Sequence, residues 1–294
     1  MSRSISRRER RTYFNNPLVM ESLRHLPAAL EYPTTESFRR YLVENLHHNS
    51  ESTRTKASEY IAGRFAENGA MNLTLAAALR KFGDSPQGKE IFYFEYQRAM
   101  PMLQEIAVRW LAELPQQGGD RAGLLSFLAT RLSGKSGDKV AQSAVQAFKL
   151  LSKARSPKIG FYVPIWTPPT IEAFLYILAV MYPEPSMIRL DTFTGELCIR
   201  AMLWPSASIP DLLKQAETHG HVSKVTKLDQ YHQFTLAGTG PERLQRLLGS
   251  VPSAESKGDS RARKMPGSSR KLTMGDGSRR DAAGSGEIEQ LRFL

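Results

Sequence analysis

The chain has 294 residues, enough for two domains of ordinary size, and 41% of them are hydrophobic, enough for a buried core. The single cysteine, Cys198, excludes a disulfide framework and a cysteine zinc cluster, and it is typical of a reducing cytoplasm. The net charge of +11 favours nucleic acid as a partner, but residues 1–11 carry +4 of it and residues 250–294 carry +3, which leaves +4 for the rest.

No segment of the sequence predicts insertion into a membrane. The first eight residues carry arginines without an apolar run behind them, so they do not have the pattern of a signal peptide. The longest apolar run, residues 173–182, is about half the length of a bilayer span. We therefore expect a soluble, cytoplasmic protein that has no membrane partner.

The helical spacing of apolar residues predicts a mainly α fold that begins with a helical-bundle domain over residues 16–155. Residues 1–15 before it predict a basic flexible arm, which either contacts the DNA backbone or only aids solubility. Thr34 or Thr35 is the expected cap of an early helix in which Phe38 turns inward. Further helices are predicted over residues 53–65, 72–82, 89–99, 101–114, 121–132 and 138–154.

Three features of this region could indicate a function. Arg54 and Lys56 follow a short polar turn between two helices, which is the arrangement of a helix-turn-helix, although a plain αα-hairpin is commoner. The aromatic residues of 89–99 could stack on bases, but their helical spacing indicates core packing. Residues 134–136 read Gly-Lys-Ser, but Ala129 replaces the first glycine of a phosphate-binding loop and a helix precedes the triplet, so nucleotide binding is rejected.

The C-terminal part predicts a winged helix-turn-helix-like domain over residues 170–249, joined to the bundle by a Pro-rich extended connector at 156–169. Helices are expected over residues 171–182 and 192–204, with a short strand at 187–190 between them. Ser208 and Asp211 have the spacing of a capping box, and Gly220 is suited to end the helix that follows. The runs 222–228 and 231–236 predict a β-hairpin wing, before a last helix at 241–248.

In such a domain the third helix enters the major groove of DNA and the wing lies on the backbone. The polar stripe of the third helix contains a single basic residue beside Asp211, so backbone contacts should dominate over sequence recognition. The residues expected to bind DNA lie on this helix, on the wing and in a secondary patch on the bundle, and they are Lys214, Gln215, Thr218, Lys224, Thr226, Lys227, Arg54 and Lys56.

The remaining sequence predicts neither an enzyme nor a metalloprotein. Residues 250–294 have the composition of a disordered, basic Ser/Gly-rich tail. His219, His221 and His232 have no carboxylate or cysteine at a familiar metal-binding spacing, so no metal or cofactor is expected. The sequence motifs of serine hydrolases, zinc proteases and dinucleotide-binding proteins are also missing.

The segment Tyr41–Phe65 reads Tyr-Leu-Val-Glu-Asn-Leu, then Ser-x-Ser-Thr-Arg-Thr-Lys, and ends in Ile-Ala-Gly-Arg-Phe. Together with the order of a helical domain followed by the module at 208–238, it resembles the BrxA family of bacteriophage exclusion (BREX) defence systems, over roughly residues 30–250. This resemblance implies a small, non-enzymatic, largely α-helical DNA-binding component. Such a component acts beside larger defence proteins that carry the methyltransferase and ATPase activities.

The sequence thus leads us to expect an accessory protein that binds double-stranded DNA and works with other phage-defence proteins. Two alternatives stay open. A winged-helix transcriptional regulator would need a dimerisation helix and a palindromic operator. A scaffold would use the winged module for protein contact alone and would bind no DNA at any salt concentration.

Overall fold

A computed structural model describes residues 18–132, 136–228 and 231–249. These residues are mostly helical and contain three small antiparallel sheets, which agrees with the predicted mainly α class. The predicted basic arm at 1–15 and the predicted tail at 250–294 lie outside the described residues.

The first half of the chain forms eight α-helices and five short strands among the described residues, with a 3₁₀ helix at Leu26–Leu30 and a π-helical turn at Ala107–Leu111. The helices are α1 (Val19–His25), α2 (Thr35–Asn45), α3 (Glu51–Phe65), α4 (Leu73–Phe82), α5 (Pro86–Ala99), α6 (Pro101–Ile106), α7 (Arg121–Ala129) and α8 (Ser136–Leu150). The strands are β1 (Ala66–Glu67), β2 (Ala70–Met71), β3 (Gly119–Asp120), β4 (Ala154–Lys158) and β5 (Phe161–Pro164).

In the described residues of the second half there are five α-helices and one three-stranded antiparallel sheet. Its helices are α9 (Ile171–Met181), α10 (Leu190–Gly195), α11 (Leu197–Arg200), α12 (Ile209–Thr218) and α13 (Gly240–Leu248). Its strands are β6 (Met187–Arg189), β7 (Val222–Leu228) and β8 (Tyr231–Leu236), in the spatial order β6–β8–β7. The predicted hairpin strands, the short strand before them and the last helix are confirmed in position.

Side-chain caps fix several helix starts. Thr34 caps α2, and its Oγ1 accepts a hydrogen bond from the Ser37 N–H at 3.1 Å, as the sequence predicts. The capping box predicted at Ser208 is wrong. The Ser208 hydroxyl instead donates to the Pro205 carbonyl at 2.6 Å, because a 3₁₀ turn leads into α12 and gives Ser208 a helical backbone. A true capping box opens α13, where Thr239 and Glu242 bond reciprocally.

Several predicted helices are shorter than their apolar patterns suggest. Helix α7 ends at Ala129 instead of 132 and α8 at Leu150 instead of 154, where β4 begins, and two others are interrupted. The helix predicted over 101–114 is α-helical only to Ile106 and then widens into a π-helical turn, in which the Ala112 N–H reaches the Ala107 carbonyl at 2.8 Å. The single helix predicted over 192–204 is broken at Glu196, whose backbone is extended. Gly195 weakens the helix before the break, and the bend lets Phe193 and Ile199 both reach the core.

The predicted connector at 156–169 is partly sheet. β4 and β5 form an antiparallel hairpin, and β3 pairs with the other edge of β5, in the order β3–β5–β4. Tyr162 on β5 packs edge-on against Trp110 of the π-helical turn, with ring centroids 5.9 Å apart. Trp166, beyond the end of β5, keeps 46% of its surface exposed.

The core is one continuous cluster of buried side chains that extends from Leu18 to Leu247. The aromatic residues of α5 lie in it, with Tyr93 and Tyr96 almost wholly buried, so the prediction of core packing is confirmed. Helix α5 also bonds to the second half, because the Tyr93 hydroxyl donates to the Ala201 carbonyl at 3.0 Å. The predicted domain boundaries remain a prediction, but segments on both sides of the connector share this core.

Candidate nucleic-acid interface

Helix α12 presents a polar stripe to solvent. Its apolar residues Ile209, Leu212 and Leu213 are buried, as their helical spacing predicts. Gly220 follows the helix with φ +70°, which confirms its predicted role as the residue that ends α12. The opposite stripe is exposed and consists of Asp211, Lys214, Gln215 and Thr218. The structure therefore brings the three residues predicted to face the major groove onto one accessible surface.

The charges on this stripe largely cancel. The Lys214 ammonium lies 3.6 Å from the Asp211 carboxylate, and both side chains are exposed. An exposed ion pair of this kind contributes at most about 1 kcal/mol, so Lys214 can leave it to bind another anion. Glu217 adds a second negative charge, although its Oε1 accepts a hydrogen bond from the Val225 N–H at 3.3 Å. One lysine against two acids gives α12 a net charge of −1.

The β7–β8 hairpin places its three predicted contacts on two faces. Lys224 lies opposite Thr235 and Thr226 lies opposite Gln233, so these side chains share the outer face of the sheet. Lys227 is an odd number of residues from both Lys224 and Thr226, so it lies on the other face of the sheet, near the end of the strand. The structure thus brings Lys224 and Thr226 together and separates Lys227 from them.

A bulge at the start of β7 explains why the sequence of this strand alternates poorly. The register shifts between Val222 and Lys224, and the Ser223 hydroxyl donates to the Thr235 carbonyl at 3.2 Å. The extra residue reverses the alternation, so that Val222 is buried while Lys224 is exposed. Without the bulge, Lys224 would face the core.

The secondary patch contains one side chain that is already engaged. The Arg54 Nε donates to the Val43 carbonyl at 2.9 Å, and its Nη1 donates to the His48 carbonyl at 2.7 Å. These bonds hold the turn between α2 and α3. Lys56, two residues later on α3, is exposed. Arg54 therefore has a structural role beside any contact with DNA.

Two arginines of α13, for which the sequence predicts no role, donate hydrogen bonds to backbone carbonyls next to the candidate interface. The fully buried Arg243 donates to the carbonyls of Gly238 and Tyr182, and Arg246 donates to the Gly220 carbonyl at the end of α12. Burial, with a further effect of Arg246 and Arg243, lowers the pKa of the nearby His221 to about 4. No sequence signal identifies Arg243 and Arg246 as structural residues, because an arginine three residues from another on a helix is usually solvated.

The described part of the chain has neither a membrane-spanning helix nor a cluster of metal-binding side chains, and it contains one sizeable cleft. None of its helices is both long and apolar enough to cross a bilayer. No group of three or more His, Cys, Asp or Glu side chains among the described residues could hold a metal ion. A cleft of about 570 Å³ lies between β1–β2 and the end of α5, lined by Arg64, Glu95 and Arg98 among others. Burial raises the pKa of Glu95, which also accepts a hydrogen bond from the Tyr176 hydroxyl at 3.0 Å.

Comparisons of the chain with protein-family models, with curated proteins and with solved structures return no match.

Proposed function

We propose that this chain is a non-enzymatic DNA-binding accessory protein of a BREX-type phage-defence system, and that it holds double-stranded DNA mostly by the backbone. The observation that carries the proposal is the order of the elements from α9 to β8. A helix, a short strand, a helical segment, an exposed helix and a hairpin follow one another, and the first strand pairs with the last. A winged helix-turn-helix has this order.

Within that arrangement α12 takes the place of the recognition helix. It packs its apolar stripe inward and leaves Lys214, Gln215 and Thr218 accessible. The net charge of −1 on this helix argues against strong binding through its side chains alone. Affinity would come from the hairpin instead, where Lys224 and Lys227 are exposed and form no ion pair within the described residues.

Backbone contacts of this kind give a steep salt dependence and little sequence preference. Each phosphate that a lysine neutralises contributes about −0.9 to the slope of log K against log salt concentration for B-form DNA. The defence-system part of the proposal has a separate basis, the resemblance of residues 41–65 to the BrxA family.

One observation favours a second candidate function, a protein-docking module that binds no DNA. The exposed face of α12 is slightly acidic, and Met187 on the outer face of the neighbouring sheet has 64% of its surface exposed. A mixed apolar and acidic surface suits a basic protein partner better than a phosphate backbone.

The test is a salt series of binding to a labelled, non-specific duplex by the full-length protein. The test variant changes Lys214, Lys224 and Lys227 to Ala. A control variant removes the same charge elsewhere by changing three exposed residues of the first half to Ala, namely Arg109, Lys139 and Lys149. We expect the test variant to reduce the slope by about 2 to 3 and the control to leave it nearly unchanged.

Equal losses in the two variants would mean that net charge alone attracts DNA and that the winged module is not the contact surface. Unchanged binding by the test variant would assign the contact to another part of the chain. If the unmodified protein binds no duplex even at low salt, the protein-docking function is the better account.

A further inference from the structure

The tip of the β4–β5 hairpin carries a fully exposed isoleucine. Ile159 is the most exposed of the large apolar side chains that the structure describes, and the adjacent Lys158 and, further back on β4, Arg155 are exposed as well. A single apolar residue on a surface is common and by itself indicates no function. The surroundings of Ile159 are what distinguish it.

The tip is held in place by its own hydrogen bonds. Lys158 pairs with Phe161 across a two-residue loop, and Gly160 supplies the positive φ of +74° that its position in the turn requires. The Gly160 carbonyl accepts the Arg121 N–H at 3.1 Å, and the Ser156 hydroxyl donates to the Lys158 carbonyl at 2.9 Å. The loop therefore presents Ile159 on a fixed turn.

The charged side chains of the tip region, Lys158, Arg155 and Asp120, leave it with a net positive charge. Arg155 and Lys158 form no ion pair within the described part of the chain, and the Lys158 Nζ lies 5.0 Å from the centre of the Phe161 ring. The adjacent acid, Asp120 on β3, accepts the Ala122 N–H at 3.0 Å as the cap of α7. An apolar side chain in a region of net positive charge thus lies at the tip of the β4–β5 hairpin, beside the short strand β3.

This combination fits the minor groove of duplex DNA. Minor-groove binders insert an isoleucine, leucine or proline between base pairs while cations contact the flanking phosphates, and the duplex kinks where the bases unstack. A stable protein interface buries roughly 1,000 Å² or more, far beyond what one isoleucine and its neighbours offer. An amphipathic membrane anchor likewise needs a whole apolar helix face.

The base of the hairpin is anchored beside the winged module. Lys153, which precedes β4, donates from its buried ammonium to the Met202 carbonyl at 2.9 Å, in the segment that leads to α12. The Lys153 carbonyl in turn accepts the Ile165 N–H at 2.9 Å, next to the end of β5. The hairpin is therefore fixed to the same segment that positions the predicted recognition helix.

We propose that the β4–β5 hairpin is a second DNA contact, in which Ile159 enters the minor groove as an apolar wedge and kinks the duplex. The inference rests on the proposed DNA-binding function and adds a shape-dependent contact to it. Because unstacking a base step offsets most of the gain from burying the side chain, removal of Ile159 should change affinity by less than about tenfold.

The experiment uses the full-length protein and duplexes that contain 2-aminopurine, a base whose fluorescence rises when it unstacks, with an end-labelled pair to report bending. Ile159→Ser removes the wedge, Ile159→Met keeps an apolar side chain, and Lys158→Gln removes one flanking charge. None should lower the melting temperature by more than about 2 °C, since the Ile159 side chain is fully exposed and the contact of Lys158 with the Phe161 ring lies at the surface.

We expect the unmodified protein and Ile159→Met to unstack and bend the duplex, and Ile159→Ser to bind without doing so. Ile159→Ser should keep the salt slope, whereas Lys158→Gln should reduce it by about 0.9. Binding without unstacking by the unmodified protein, or full unstacking by Ile159→Ser, would overturn the wedge and leave the winged-module proposal standing. Absence of binding to any duplex would overturn both.

Discussion

A buried carboxylate, Glu90 on α5, joins the two halves of the chain. Its Oε1 accepts the indole N–H of Trp204 at 2.7 Å, and its Oε2 accepts both the N–H and the hydroxyl of Thr170, at 3.0 and 2.9 Å. The ammonium of Lys153 lies 4.0 Å from Oε1. Because Thr170 caps α9 and Trp204 precedes α12, this one side chain positions both ends of the segment between them.

Glu90→Gln tests how much that carboxylate contributes. The amide keeps the shape but has one oxygen, so in either orientation its NH₂ group faces a donor from Trp204 or from Thr170. It also leaves the Lys153 ammonium, 4% exposed, without its anion. Hydrogen bonds to a charged group contribute about 1.5–3 kcal/mol each, and breaking a buried ion pair costs about 3–5 kcal/mol. We expect the free energy of unfolding to fall by about 3–5 kcal/mol.

Urea unfolding followed by tryptophan fluorescence measures this directly. Glu113→Gln is the matched control, since Glu113 is exposed, and it should change stability by less than about 0.5 kcal/mol. The double variant Glu90→Gln with Lys153→Met should be less destabilised than the sum of the single variants, by about 1 kcal/mol or more, because the two groups share one interaction. A loss below about 1 kcal/mol for Glu90→Gln, or strictly additive effects, would refute the reasoning.

Three further predictions concern single side chains. Because burial holds the pKa of His221 at about 4, below its usual 6.5, the unfolded chain takes up a proton first as the pH falls. Stability should drop between about pH 6.5 and 4, and His221→Gln should flatten that drop in urea midpoints. If stability falls with pH in His221→Gln as it does in the unmodified protein, His221 is not the group responsible. Arg54→Ala should lower the free energy of unfolding by about 2 kcal/mol, because the carbonyls of Val43 and His48 lose their hydrogen-bond donor. Lys56→Ala should leave the free energy of unfolding unchanged. An equal effect of the two would argue against the structural role. Thr239→Ala removes the capping box of α13 and should lower the free energy of unfolding by about 1 kcal/mol, whereas Thr239→Ser should keep it. If calorimetry finds the Ala and Ser variants equally stable, the cap does not stabilise α13.

The sequence predicts most elements of the second half well, apart from the single helix expected over 192–204, because their signals are local. The runs 222–228 and 231–236 are rich in β-branched and aromatic residues, and the strands span them. The apolar run of α9 and its end at Met181, two residues before Pro183, also come from neighbouring residues. Each of these patterns fits inside one element.

The wrong and missed features share a cause. Each depends on a hydrogen bond to a particular backbone carbonyl or to a residue distant in sequence, which a local sequence pattern does not reveal. Ser208 has the residues of a capping box, yet its hydroxyl bonds backward to Pro205. Glu90 bonds to Trp204, 114 positions away, and neither residue reveals the other. Fixing a buried charge by a remote partner is a tertiary effect, and helical periodicity does not report it.

The sequence predicts which residues belong to the candidate interface but not which of them share one face. The stripe of α12 follows from its helical period and is exposed as expected. Strand alternation alone puts Lys224 and Lys227, three residues apart, on opposite faces of the hairpin, and the bulge at Ser223 decides that Lys224 is the one on the outer face. A one-residue change in register reverses every assignment on a strand, so the sequence alone could not tell which of the two lysines lies on the outer face.

Hydrogen–deuterium exchange of the full-length protein, with and without a saturating non-specific duplex at low salt, would show directly where DNA is held. We predict slower exchange on DNA binding over residues 209–228, which contain α12 and β7, with smaller changes over most of α1 to α8. Protection confined to other parts of the chain, or no protection while the duplex is bound, would contradict the assignment of DNA contact to the winged module.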